Sequence, residues 1–209
     1  MDPTRRPESP TVRRAGADDR ADLEHTFGAA FLDDPVWLHL LGRHRATVVR
    51  AGRALGALSM AHIADDCSTI TTDGAAAAIW APPKRYRITP RQFLPYLPAA
   101  VRGLGPGGMA RLISMSDVEK LHPREPHYYL AVLGTHPDHQ GRGLGSAVLA
   151  PTMAKADEDG VACYLESSKE SNVAFYARHG FEVTGTHDIA EGKGPRLWLM
   201  WREPRVPGA

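Results

Sequence analysis

The sequence predicts an α/β protein in which a mixed sheet of six or seven strands is flanked by helices. An apolar, strand-like run covers 128–135, a glycine-rich loop follows, and a helical pattern extends over 146–155. A second apolar run lies at 161–167, and two strands joined by a helix are normally parallel neighbours. Asp73-Gly74 separates two further strand-like runs and predicts an antiparallel hairpin. The sheet is therefore expected to contain both kinds of pairing.

The N-terminal part of the chain predicts one short strand and three helices. The strand covers 11–14, and Asp18 and Asp19 offer N-cap oxygens to a helix whose apolar residues recur at helical spacing. A turn at 33–35 starts a second, short helix, because Asp-Pro is a common helix start. An alanine-rich helical stretch then covers 45–63.

A hairpin and a basic helical segment occupy the middle of the chain. The hairpin strands cover 68–72 and 75–80, and two prolines end the second strand because proline cannot donate to a sheet. Residues 84–124 hold eight Lys or Arg and two acidic residues, and they form two helices around 103–108. Such a surface can attract an anionic ligand, although spread arginines are more often a solvated helix face.

The C-terminal part of the chain returns to the sheet. Ser171 or Asn172 caps a helix that ends at Gly180, a suitable C′ glycine. Strands are predicted at 181–187 and 197–202.

Composition indicates one ordinary globular domain. The 209 residues are 43% hydrophobic and 23% charged, with a formal net charge of +1, so no nucleic acid or membrane partner is predicted. The two cysteines, Cys67 and Cys163, suit a reducing cytoplasm. We expect a domain over 11–203, a flexible leader at 1–10 without signal-peptide features and a flexible tail at 204–209. Monomer and homodimer both stay open.

The glycine-rich loop predicts an anion site. Gly141, Gly143 and Gly145 lack a Cβ, so a ligand can approach the backbone, and the helix N-terminus that follows favours negative charge. A Walker loop is excluded because the nearest lysine, Lys155, lies far down the helix. A dinucleotide fingerprint is disfavoured because its third glycine is misplaced, although Glu166 stands near the expected offset of the acidic residue. A pyrophosphate is the expected anion.

These residues resemble the GNAT superfamily of acetyl-CoA-dependent N-acetyltransferases. Gln-Gly-Arg-Gly-Leu-Gly at 140–145 is similar to its signature, Gln/Arg-x-x-Gly-x-Gly/Ala. A second motif follows in Tyr-Leu-Glu-Ser-Ser at 164–168 and Asn-Val-Ala-Phe-Tyr-Ala-Arg-His-Gly-Phe at 172–181. Residues 127–185 carry nearly all of the resemblance. Within the superfamily, the loop and the Leu-Glu-Ser-Ser stretch look most similar to the puromycin N-acetyltransferase branch. The resemblance implies the GNAT fold, a mostly antiparallel sheet with one splayed parallel strand pair.

The resemblance also implies acetyl-CoA as cosubstrate and a role for each matching residue. Leu133, Gly134 and Thr135 would bind the pantetheine and polarise the thioester carbonyl through their backbone, and Gly134 would form a bulge. Asn172 would bind the pantetheine, and Tyr176 would protonate the departing thiolate, as a phenol of pKa about 10 can. The residues that would surround the pyrophosphate are Gln140, Gly141, Arg142, Gly143, Leu144, Gly145 and Ser146.

The acceptor side is less determined by the sequence. Asp33, Asp34 and Trp37 are candidates for substrate contact, but the favoured interpretation is that the aspartates cap a helix and the tryptophan packs. By resemblance, the helical insertion at 84–124 would cover the acceptor site. Glu166 is the leading candidate for the catalytic base; Asp34, Glu125, His136 and water relays are alternatives. No metal site is predicted, since Pro137 keeps His136 and His139 off a shared helical face.

The predicted reaction is acetyl transfer from acetyl-CoA to a primary amine of a small molecule, such as an amino-nucleoside or another antibiotic. The amine would attack the thioester directly, as in the superfamily, because the chain offers no nucleophile with a neighbouring base. Two alternatives stay open: an enzyme acting on protein or peptide amines, and a GNAT-fold protein that binds acyl-CoA as a sensor without turnover.

Overall fold

The computed structural model describes residues 11–42, 46–63 and 66–205. The expected leader at 1–10 and most of the expected tail lie outside these ranges. Within them, seven strands form one sheet in the order β1-β2-β3-β4-β5-β7-β6. The strands are β1 Val12–Arg14, β2 Thr69–Thr71, β3 Ala76–Ala81, β4 His127–Thr135, β5 Ala162–Ser167, β6 Glu182–Asp188 and β7 Arg196–Arg202.

One strand pair differs from all the others in this sheet. β4 and β5 are parallel, while the remaining neighbours are antiparallel. The parallel pairing joins only 127–129 to 162–164, and beyond Tyr129 the two strands diverge. This confirms the predicted mixed, mostly antiparallel sheet with a splayed parallel pair.

Helices cover both faces of the sheet. Their positions agree with the predicted elements to within a few residues: α1 Arg20–Ala30, α2 Pro35–Leu41, α3 Val48–Ile63, α4 Pro90–Phe93, α5 Leu97–Ser114, α6 Leu144–Glu158 and α7 Val173–Arg178. No helix in the described ranges is long and apolar enough to cross a lipid bilayer.

Side-chain alternation along the strands produces two core layers. On β5, Cys163 and Leu165 point toward α6 and pack with Val148 and Leu149. On the other face, residues such as Phe27, Leu55 and Ile79 pack beneath α1 and α3. The intervening β5 residues, Tyr164 and Glu166, face this second side of the sheet because successive side chains alternate.

Small residues let α1 and α3 approach closely. A Cβ added at Gly52 would lie 2.1 Å from the carbonyl oxygen of Glu24, and one added at Gly28 would lie 2.3 Å from that of Val48. Any larger residue would separate the two helices. The contact therefore sets the position of the α1–α2 loop.

The insertion forms the two predicted helical segments, joined within α5 by a break at Gly105, where φ is +69°. Arg111 donates to the carbonyl oxygen of Leu40 at 2.7 and 3.1 Å, and Arg50 of α3 donates to that of Gly103 at 2.9 Å. Arg111 of the insertion and Arg50 of α3 thus help to hold the insertion against α2 and α3.

The bulge predicted at Gly134 is wrong in position. The register between β3 and β4 shifts where Ile79 faces Val132 and Trp80 faces Leu130, so Ala131 is the extra residue. Gly134 pairs regularly with Ala77. Glycine is needed there for a different reason, because a Cβ would lie 2.6 Å from a ring carbon of Phe27.

Candidate active site

The opening between β4 and β5 leads into a cavity of about 880 Å³, a volume typical of ligand sites. Leu133, Gly134 and Thr135 line it. Their edge on the β5 side has no strand partner, because β5 has already diverged. Backbone N–H and C=O groups on that edge are available to a ligand, as the resemblance implied.

The glycine-rich loop forms the end of the cavity at which α6 begins. Gly141 and Gly143 have φ values of +74° and +79°, which only glycine adopts without strain, and an added Cβ at either would meet nothing within 4 Å. The space in front of the loop is therefore open. The first N–H groups of a helix have no intrahelical partner, and Gly143, the N-cap of α6, has no side-chain oxygen to accept from them.

Two polar residues of the loop donate hydrogen bonds to backbone carbonyl oxygens of the protein. The side-chain amide of Gln140 donates to the carbonyl oxygen of Thr135 at 3.2 Å and ties the loop to β4. Arg142 donates to the carbonyl oxygen of Asp138 at 3.1 Å and does not line the cavity, although the other predicted loop residues do. Arg178 of α7 lines the cavity instead. It lies two residues beyond Tyr176 in the second motif, and this position in the sequence could have predicted that Arg178 lines the cavity.

The second motif places Asn172 and Tyr176 on the cavity wall. The Asn172 side chain makes no capping bond to α7 and can reach a ligand. Tyr176 is 8% exposed, and burial, assisted by the Asp34 carboxyl, raises the pKa of its phenol far above the ordinary value. The hydroxyl is therefore protonated at neutral pH, as a proton donor requires.

The α1–α2 loop places Asp33 and Asp34 in the cavity wall but leaves Trp37 out of it. Asp34 accepts from the N–H groups of Val36 and Trp37 at 2.9 and 3.1 Å, and the Ser168 hydroxyl also donates to it. It caps α2, as the favoured interpretation predicts, and burial raises its pKa. Trp37 is 8% exposed in the core beneath α2. Asp33 pairs with Lys169 at 2.6 Å.

Glu166 does not line this cavity; its side chain points to the face of the sheet opposite α6. Its side chain is 7% exposed, and its Oε1 lies 3.5 Å from Nε2 of His122. Burial raises the pKa of Glu166 to about 7, against the opposing effect of the Tyr129 and Tyr164 hydroxyls. At mildly alkaline pH this group is a carboxylate able to accept a proton.

His122 comes from the end of the insertion, and the sequence did not point to it. Its ring stacks on that of Tyr86 at 3.9 Å between centroids, so both ends of the insertion meet over Glu166. No local pattern signals this contact, because the two residues are far apart in the chain.

The remaining base candidates have other contacts. The His136 ring stacks on His25 at 4.9 Å, and the Glu125 carbonyl oxygen accepts from His127 at 2.7 Å. In the part of the chain that the structure describes, no group of histidine, cysteine and carboxylate residues could hold a metal ion.

Comparison with known proteins agrees with this architecture. Residues 85–181 match the model of the acetyltransferase (GNAT) family. A solved structure from Corynebacterium glutamicum, named as histone acetyltransferase HPA2 and related acetyltransferase, is 25% identical with a TM-score of 0.65, covering 96% of this chain and 99% of that one.

Two insect enzymes share the fold at lower identity. Arylalkylamine N-acetyltransferase 2 from Aedes aegypti is 11% identical with a TM-score of 0.63, covering 93% of this chain and 99% of that one. Polyamine N-acetyltransferase from Drosophila melanogaster is 14% identical with a TM-score of 0.63, covering 93% and 100%. The match over 85–181, the splayed strand pair and the glycine loop at the start of α6 together show a GNAT acetyltransferase domain in this part of the chain.

Proposed function

We propose that the protein transfers the acetyl group of acetyl-CoA to a primary amine of a small molecule by direct attack of the amine on the thioester. One observation carries the proposal. The open, positive-φ loop at the start of α6, the unpaired edge of β4 and the Tyr176 phenol all line the same cavity.

The residues of this cavity fit the parts of acetyl-CoA. The N–H groups between Gly141 and Ser146 would hold the pyrophosphate, with the Arg178 guanidinium adding positive charge. The free edge of β4 would pair with the pantetheine amides and donate to the thioester oxygen, where negative charge develops as the amine attacks. Bound acetyl-CoA would supply the activated acyl group.

Two protonation states support direct transfer. Tyr176 holds a proton that it can give to the thiolate. Glu166 follows the last β5 residue paired with β4 by two positions, and its carboxylate would take a proton from an ammonium group held where the two strands diverge. A covalent acyl-cysteine is not supported, since burial raises the pKa of Cys163 to about 12 and keeps it a thiol.

A small acceptor is favoured by the cover that the insertion forms over Glu166. The stacked rings of Tyr86 and His122 narrow the access to the sheet face at this point, where a peptide would need an open groove. Solved proteins of the same fold are named for arylalkylamine and polyamine substrates, and amines of these classes are the first acceptors to test. An amino-nucleoside acceptor rests on the sequence resemblance to the puromycin branch alone. Cysteine usage fits a cytoplasmic location.

Thiol release from acetyl-CoA tests the proposal. The panel contains an arylalkylamine, a polyamine, puromycin and lysine-containing peptides. Release with a small amine but not with peptides supports the proposal, and the reverse result supports a protein acetyltransferase. Calorimetric binding of acetyl-CoA without release for any amine would indicate a sensor, and no heat from acetyl-CoA or CoA would overturn the assignment.

A further inference from the structure

A line of polar groups runs away from Glu166 on the face of the sheet opposite α6. Its Oε1 accepts no hydrogen bond from the described residues and lies 3.5 Å from Nε2 of His122. Nδ1 of His122 lies 3.1 Å from Nε2 of His127, and Nδ1 of His127 lies 2.7 Å from the carbonyl oxygen of Glu125. Three side chains and one backbone carbonyl thus form a continuous series.

The end of this series determines the tautomers along it. A carbonyl oxygen only accepts, so Nδ1 of His127 must carry a hydrogen and, in the neutral ring, its Nε2 must accept. His122 therefore donates from Nδ1, and its Nε2 bears the lone pair. That lone pair faces Glu166, so His122 can accept a proton from the carboxylic acid.

A second cavity lies at the far side of the histidines. Its volume is about 460 Å³, and both His122 and His127 line it. It shares no lining residue with the first cavity. The histidines thus lie between buried Glu166 and a space that is separate from the proposed acetyl-CoA site.

The proposed reaction needs an exit of this kind. An ammonium group loses two protons as its nitrogen forms the new C–N bond and the C–S bond breaks. One replaces the proton that Tyr176 gives to the thiolate, and the other is released to solvent. Because Glu166 is buried, it must pass this second proton on before the next turnover.

We propose that His122 takes this proton from Glu166 at its Nε2 and that the same Nε2–H then gives the proton to a water molecule entering from the second cavity, which leaves His122 neutral with the hydrogen on Nδ1, as before. His127 is a positioning residue that holds His122 in the accepting tautomer. The inference rests on the proposed function and extends it from the base to the route by which the base is reset.

The charged and titratable groups around the line favour a short-lived imidazolium. Tyr129 of β4 and Tyr164 of β5 adjoin Glu166, while Tyr86, Arg87 and His127 surround His122. Burial, then His127 and Arg87, lower the pKa of His122 to about 3. A group with a lowered pKa gives its proton readily to water, so the imidazolium would not accumulate.

Chemical rescue tests the relay. We expect His122→Ala to lower kcat by about 10- to 100-fold with the KM for acetyl-CoA unchanged, and we expect imidazole in the buffer to restore a large part of kcat. His62→Ala is the matched control, since His62 is a buried histidine near Tyr129 that is outside this line. Its kcat should not respond to imidazole.

A second variant covers the possibility that His122→Ala fails to fold. His122→Gln keeps the bulk of the ring, and acetyl-CoA calorimetry confirms that it is folded. We expect a lowered kcat and a pH profile that still shows the ionisation of Glu166. Wild-type kcat in either variant, or a loss in His122→Ala that imidazole does not reverse, would overturn the relay.

Glu166→Gln separates failure of the relay from failure of the proposed function. If this variant is slow while His122→Ala turns over at the wild-type rate, the relay alone is wrong. Full turnover in Glu166→Gln would remove the proposed base, and the relay with it.

Discussion

Two regions beside the β4–β5 opening, the proposed acetyl-CoA cavity and the surroundings of Glu166, are built in different ways. The proposed acetyl-CoA side offers backbone groups to a ligand, from the loop at 140–146 and from the free edge of β4. The Glu166 side consists of side chains from β4, β5 and both ends of the insertion. The first depends on local glycine conformations, and the second depends on long-range packing. Substitutions should therefore separate binding from turnover.

The largest expected effect is on the backbone side. Gly143→Val places a β-branched residue at φ +79° and fills the open space in front of the loop. Loss of two charge-assisted bonds, at about 2 kcal/mol each, weakens acetyl-CoA binding by about 10³-fold. Isothermal calorimetry measures this loss.

Gly160→Val is the matched control for this prediction. Gly160 also has a positive φ, +64°, with nothing within 4 Å of an added Cβ, but it lies beyond the opposite end of α6. Its strain should reduce stability and leave acetyl-CoA affinity unchanged. Equal loss of affinity in both variants would mean that strain, not the ligand contact, explains the effect.

On the side-chain face, Glu166→Gln should lower kcat by about 10²- to 10³-fold without changing acetyl-CoA affinity. In the wild-type protein, kcat should fall as the pH drops below about 7, because the protonated carboxyl cannot accept a proton. The variant should lose this dependence. Steady-state rates from pH 5.5 to 9 measure both effects, with Glu182→Gln, an exposed carboxylate on β6, as the control.

Glu166→Gln should also change how the free energy of unfolding depends on pH. The pKa of Glu166 is raised from 4.5 to about 7 in the folded protein, so deprotonation costs folding free energy as the pH rises through this interval. The difference of about 2.5 corresponds to about 3 kcal/mol at pH 8 and to nothing below pH 4. Glu166→Gln should therefore raise Tm at pH 8 but not at pH 4, as measured by calorimetric scans.

A smaller effect is expected at Tyr176, on the wall of the first cavity. Tyr176→Phe should lower kcat by about 10- to 100-fold, because the thiolate loses its proton donor, and should leave acetyl-CoA affinity nearly intact. Tyr96→Phe, in the turn before α5, is the control. Unchanged kcat in Tyr176→Phe would remove the acid role.

The smallest expected effect distinguishes the two arginines near the loop. Arg178→Gln should weaken acetyl-CoA binding by about three- to tenfold, and this difference should shrink at high salt. Arg142→Gln should have a smaller effect, because Arg142 bonds to Asp138 and does not line the cavity. The opposite ranking in calorimetric titrations would contradict the observed orientation.

The sequence by itself determined the elements whose signals are local. The glycines at 141–145 predicted the loop, and the apolar run at 128–135 predicted β4. The spacing of Asn172 and Tyr176 predicted two residues of the cavity wall. These signals are local because turn conformation and helix start depend on neighbouring residues. The capping role of Asp34 was also predictable from the Asp-Pro pair.

Only the tertiary structure decided the surroundings of Glu166, the orientation of Arg142 and the position of the bulge. Tyr86, His122 and His127 meet because the insertion folds back over the sheet, and no pattern of neighbouring residues encodes that contact. Likewise, position 134 requires glycine because the ring of Phe27, more than 100 positions earlier in the chain, leaves no room for a Cβ. Burial and long-range contacts set the pKa of a carboxyl and the direction of a side chain, and both arise only when the chain is packed.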